Sequence, residues 1–134
     1  MGSLRFGRRW KRVVFSSGVL LVAALLPSPL QRHPEFDWFG PDKLLHLLGH
    51  GWHAVVLADA FSGGQHRDRE AAVVAVVVST GYGVLTGVLQ NWVPGRAFER
   101  ADVVAGFLGS VLAVWNWLGR PETADSVDAD GGGE

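Results

Sequence analysis

The chain has 134 residues, a formal net charge of -1 and no cysteine, and 48% of its residues are hydrophobic. The length accommodates one domain. The missing cysteines exclude disulfides, thiolate metal sites and a catalytic thiol. No basic–aromatic pattern suggests nucleic acid, and no phosphate-binding loop is present.

Charge is unevenly spread. Residues 13–30, 71–91 and 103–118 contain no Asp, Glu, Lys or Arg, and residues 44–62 contain only Asp59. A membrane-crossing helix needs roughly 20 mostly apolar residues, a length these stretches reach alone or with their flanks. The run AAVVAVVVSTGYGVLTGVLQ is apolar all the way round, whereas a soluble amphipathic helix would keep one charged face. The expectation is an all-α fold: a four-transmembrane-helix bundle over residues 1–119, with spans at about 13–30, 42–62, 71–91 and 101–118. Residues 120–134, RPETADSVDADGGGE, are expected to form a disordered acidic tail.

In chain order, MGSLRFGRRWKR carries five basic residues before the first apolar run. Short loops rich in Lys and Arg stay in the cytoplasm, so the N-terminus is expected inside, with Trp10 as an interfacial anchor. The first helix should run from about Val13 to Leu26 and end at Pro27 and Pro29. A cleavable signal peptide is the rival reading, but no A-x-A-like site follows, which favours a retained anchor. Alternating spans then put residues 31–41 outside, GGQHRDRE at 63–70 inside, NWVPGRAFER at 91–100 outside and the tail inside. Arg96 and Arg100 run against the charge rule.

This topology gathers three helix ends at one membrane surface. The second helix begins at Asp42, the third ends at Gln90 and the fourth begins at Asp102, so Asp42, Lys43, His46, Gln90, Arg96 and Asp102 should converge. Lys43, His46, His50 and His53 follow one another by three or four residues, which sets them on one helical face. Ionisable groups at membrane depth face the bundle interior or a wet cavity. One expected arrangement has Arg96 clamping Asp102 while Lys43 or His46 faces Asp42. Asp42 and Asp102 could equally cap their helices. The HxxxH spacing admits a metal with Asp42 as a further ligand, but no metal or other cofactor is expected. His33 and His66 lie in opposite loops. Gly83-x-x-x-Gly87 and Ala105-x-x-x-Gly109 read as close-packing faces, Pro94-Gly95 as a turn with Gln90 and Asn91 satisfying backbone groups, and Trp38, Trp92, Trp115 and Trp117 as belt residues.

DKLLH opening one span, and LQNWVPGRAFERADVV leading into the last, resemble the VanZ-like membrane proteins. Their pattern is Asp-Lys-x-x-His at the start of one helix, Glu-x-x-Gln ending the next, Pro-Gly-Arg in the loop, and an Asp, then an Asn and a Gly, in the last helix. The resemblance covers residues 41–113. Asp42, Lys43, His46, Gln90, Pro94, Gly95, Arg96, Asp102 and Gly109 fall on the pattern, while Gly87 stands where Glu is usual, Gly106 where Asn is usual, and His50 where an aromatic is common. The resemblance implies a multi-pass cell-membrane protein of the envelope, in a family whose founding member is linked to glycopeptide resistance. The resemblance does not settle the activity; the leading expectation, beside the lipid bilayer as partner, is a lipid-linked or anionic envelope ligand at the outer face, bound by Lys43 and Arg96 with His46 and Asp42 tuning or orienting. The alternatives are an intramembrane transferase or hydrolase with His46 as acid/base, its other catalytic residues unknown, and a scaffold subunit without ligand.

Overall fold

The computed structural model describes residues 2–26, 40–63 and 67–120. Within them the chain is all-helical: α1 (Gly2–Leu25), α2 (Pro41–Ser62), α3 (Asp68–Leu89), a single 3-10 turn (Gln90–Trp92) and α4 (Arg100–Leu118). The acidic tail from residue 121, the loop residues 27–39 with His33 and Trp38, and residues 64–66 with His66 lie outside the described residues.

The last three helices match the expected stretches to within a few residues. The first does not: α1 starts at Gly2, so the basic segment is itself helical and continuous with the apolar one. Arg and Lys are good helix formers, and a charge boundary is no helix boundary. Residues 68–92 and 100–118 are long and apolar enough to cross a membrane by length and composition. The other two helices do not reach that standard alone, α1 because its first half carries five basic residues and α2 because it carries Asp42, Lys43, three histidines and Asp59.

Successive helices run up and down. Lys43 at the start of α2 meets Asp102 at the start of α4, so these two run parallel, with α3 returning between them. Ser17 of α1 meets His53 of α2, and Arg9 meets Asp59, which sets α1 antiparallel to α2. The closest approach is between α2 and α4. A Cβ at Gly51 would lie 3.0 Å from the Gly109 carbonyl oxygen, and one at Gly109 would overlap the Leu47 carbonyl. Gly109 was expected on a packing face; its partner Gly51 was not singled out.

The distribution of side chains is inverted relative to a water-soluble bundle. Ser16, Ser79, Ser110 and His53 are the largest side chains buried completely, and the apolar core is mostly alanine, with Leu57, Val114 and Trp117 at the end away from Lys43. Large apolar residues point outward on all four helices, among them Val14, Phe15, Leu45, Leu48, Val73, Val77, Leu108 and Leu112. Of the expected belt residues, Trp92 and Trp115 are exposed, but Trp117 is buried, with the Arg120 guanidinium 4.3 Å from its ring centre. Trp117 faces α2 and α3 because its position on α4 continues the inward stripe of Ser110 and Val114. Trp10 packs edge-on against Phe61 at 5.6 Å.

Candidate functional site

Asp42, Lys43 and His46 stand in the first turns of α2, where Pro41 fixes the helical φ and Gly40 leaves the end without a side-chain cap. Asp102 stands in the first turn of α4, whose N-cap position is Glu99, also without a side-chain cap bond. Capping therefore does not explain Asp42 or Asp102, though each carboxylate gains from the positive end of its helix.

Lys43 is the centre of the cluster. Its ammonium lies 2.5 Å from Glu99 Oε2, 2.7 Å from Asp102 Oδ1 and 4.0 Å from Asp42 Oδ2. His46 Nε2 reaches the other oxygen of Asp102 at 3.4 Å. Asp102 and Lys43 are nearly buried, their side chains 10% and 13% exposed, so these are charges in a poorly solvated place that need their partners. One lysine stands among three carboxylates.

The convergence of the helix tips is thus present, but its pairing differs from the expected one. Asp102 is held by Lys43 and His46, not by Arg96, which makes no ion pair among the described residues. Glu99, which the sequence reading passed over, takes the place beside Lys43. The cause is local. Pro94 and Gly95 form a type II turn, closed by the Arg96 N–H on the Val93 carbonyl at 3.1 Å, with Gly95 at φ +79°. Asn91 Oδ1 then accepts the Phe98 N–H at 2.9 Å. The loop is folded on itself, and Glu99 enters the cluster from its end. Arg96 is half-buried, and its Nε is shielded from solvent with no hydrogen-bond partner among the described residues.

Beneath the ion pairs lies a cavity lined by His46, His50, Thr80, Gln90 and Asp102 among others. Its free volume is about 10 Å³, room for roughly one water. Thr80 Oγ1 is buried in this wall without a hydrogen-bond partner among the described residues. Gln90, an expected site residue, is 2% exposed.

The histidine face points inward as its spacing requires, and each ring has a different task. His50 lies in a slot between two glycines: a Cβ at Gly83 would be 3.1 Å from its ring, and one at Gly106 would be 3.0 Å. His53 is held by Ser17 Oγ at 3.0 Å on Nε2 and Ser79 Oγ at 3.2 Å on Nδ1. Ser79 also donates to the His50 carbonyl at 3.2 Å, and Ser110 Oγ lies 3.2 Å from both that carbonyl and Ser79. Tyr82 donates to the Ser17 carbonyl at 2.6 Å. Ser79 and Ser110 were not legible as site residues, being single hydroxyls inside apolar runs.

At the two glycines that depart from the VanZ-like pattern, the space a larger side chain would need is filled. The room beside Gly106 is occupied by His50, and a Cβ at Gly87 would run into the Phe98 ring. Among the described residues, the His and carboxylate atoms close enough together to hold a cation are those of Asp42, His46 and Asp102, within 4.8 Å of one another, and the Lys43 ammonium is the cation that two of these residues already face. His50 and His53 turn toward Ser79 rather than into that set.

No family of known proteins, no curated protein and no solved structure matches the chain.

Proposed function

We propose that the chain is a VanZ-like multi-pass membrane protein of the cell envelope, with all four helices in the bilayer and both termini cytoplasmic. Its helix-tip site then faces outward and recognises an anionic envelope group such as a lipid-linked phosphate. The membrane part of this reading is supported by the inverted side-chain distribution. A bundle with serine and histidine inside and Val, Leu and Phe outside would hold together poorly in water, whereas lipid favours small and hydrogen-bonded groups at helix contacts. Helices α1 and α2, too polar to stand alone, are carried by partners that satisfy their inward polar groups.

The observation that carries the ligand reading is Arg96. A shielded guanidinium nitrogen without an acceptor is costly, and phosphate or carboxylate oxygens are the groups a guanidinium fork fits best. Lys43, by contrast, is committed to Glu99 and Asp102, so the cationic contact falls to Arg96. The test is binding of a polyprenyl phosphate to the chain in nanodiscs. Arg96→Ala should weaken binding by about 10- to 100-fold, the worth of a charged hydrogen bond, with Arg96→Lys recovering only part. Unchanged affinity in a folded Arg96→Ala protein rejects the reading.

A scaffold without ligand is the second reading, favoured by the closed Lys43 pairs and a cavity that admits only one water. His46 as a catalytic acid/base gains the Asp102 contact it would need for orientation, but the cavity leaves no place for a substrate group beside it.

A further inference from the structure

At the opposite end of the bundle, Arg5, Arg8, Arg9 and Arg12 of α1 line an open cleft of about 330 Å³ whose one acidic wall among the described residues is Asp59 of α2. The arginines recur at spacings of three and four, so like charges stand side by side on one helical face and repel. Asp59 does not neutralise them. One of its oxygens faces Arg9 at 3.9 Å and the other faces Arg120 at 3.9 Å, and Arg9 donates to the Asp59 carbonyl at 3.0 Å. Arg9 is therefore structural, while Arg5, Arg8 and Arg12 are exposed and without ion pairs among the described residues. Across the same end, the start of α3 is balanced, Arg67 and Arg69 alternating with Asp68 and Glu70.

We infer that this cleft binds the phosphate of an anionic lipid headgroup. Three forked guanidiniums converging on one volume supply the donors that a phosphodiester accepts, and an anion among them removes their mutual repulsion. The lipid source follows from position. The apolar part of α1 begins at Val13, directly after Arg12, and Trp10 and Phe61 lie beside it, so the cleft opens at the level where a helix leaves the hydrocarbon. This inference rests on the membrane placement proposed above but not on the Arg96 site, which is at the other end.

The experiment is native mass spectrometry of the chain released from phosphatidylcholine nanodiscs containing phosphatidylglycerol. The wild type should retain phosphatidylglycerol in preference to phosphatidylcholine. Arg5→Gln/Arg8→Gln/Arg12→Gln should weaken that retention on the order of a hundred-fold. Lys11→Gln/Arg67→Gln/Arg69→Gln removes the same charge outside the cleft and should change it only about two- to three-fold. Should the first variant fold poorly by circular dichroism, Arg5→Lys/Arg8→Lys/Arg12→Lys keeps charge and helix but loses the fork, and should still lose about ten-fold. Equal losses from the two glutamine triples would reduce the cleft to a diffuse field and overturn the inference. So would displacement of the lipid by millimolar inorganic phosphate, no preference in the wild type, or a chain that is soluble without detergent. Only the last of these also removes the reading of the Arg96 site.

Discussion

Replacing Lys43 by methionine keeps the length of the side chain and removes the ammonium, leaving Glu99 and Asp102 facing each other across a nearly buried position. At 2.7 Å and an effective dielectric of about 20, the Lys43–Asp102 attraction is about 6 kcal/mol. Withdrawing both charges from water cancels much of it, since desolvation costs several kcal/mol per ion. Breaking such a pair by removing one partner nevertheless costs about 3–5 kcal/mol, because the remaining charge is stranded. Lys43→Met should therefore destabilise by about 3–5 kcal/mol, and Asp102→Asn by somewhat less, since Glu99 still faces the ammonium at 2.5 Å. The double variant should lose clearly less than the sum, with a coupling of about 2 kcal/mol in the cycle. Reversible unfolding in mixed micelles, with denaturing detergent as titrant, reads all three. Additive losses, or a Lys43→Met loss under about 1 kcal/mol, would mean that the ion pairs form only loosely and do not lock the helix tips.

The other expectations concern packing and the buried hydroxyls. Gly109→Ala brings a methyl against the Leu47 carbonyl and should cost about 1–3 kcal/mol as overpacking, read by the same titration; no loss would mean that α2 and α4 can part freely there. His53→Leu strands Ser17 Oγ, while Ser79 keeps the His50 carbonyl, and a loss of about 1–3 kcal/mol is expected for the unsatisfied group; a stabilised variant would remove the network from the account. Gly87→Glu, which places there the residue usual in VanZ-like chains, should be poorly tolerated alone because Phe98 occupies its place. Expression and thermal stability should recover when Phe98→Ala is added, and failure to recover would place the obstacle elsewhere.

What could be read from sequence depended on how far each interaction reached. The charge-free runs at 71–91 and 103–118 announced α3 and α4, because apolarity on every side is a property of the run itself. The inward histidine face was equally legible: spacings of three and four fix it before any partner is known, and His50 and His53 are buried as that spacing demands. The start of α1 was misread because a basic segment forms helix as well as an apolar one does. Partner choice was beyond reach for a different reason. Whether Asp102 meets Arg96 or Lys43 depends on how the residues after Gly95 fold back, and that is decided by the Pro94–Gly95 turn and the Asn91 bond to Phe98. Glu99 gave a faint signal, lying three residues before Asp102, but a carboxylate in a loop has no helical face to betray it. Ser79 and Ser110 gave none.

Among the described residues the two ends of the bundle differ in charge, balanced at the tips of α2 and α4 and basic at the far end, and this bears on how the proposed site can work. At the tips of α2 and α4 one ammonium stands among three carboxylates; at the far end four arginines and Arg120 surround one aspartate. Among the described residues Lys43, Arg96 and Arg100 only balance Asp42, Glu99 and Asp102 at the tips, so long-range attraction cannot be what selects an anion there. Selection would have to be short-range, through the fork of Arg96 and the exclusion of water around it, and binding at the tips should then depend only weakly on salt. The arginine cleft, where attraction acts over a Debye length, should lose affinity steeply as salt rises. A salt titration of phosphate-bearing lipids against the Arg96→Ala and Arg5→Gln/Arg8→Gln/Arg12→Gln proteins separates the two: the salt-sensitive component must vanish with the cleft variant and survive in Arg96→Ala. If the salt-sensitive component followed Arg96 instead, the long-range attraction would come from the tips and not from the cleft, and this division between the two ends would fall.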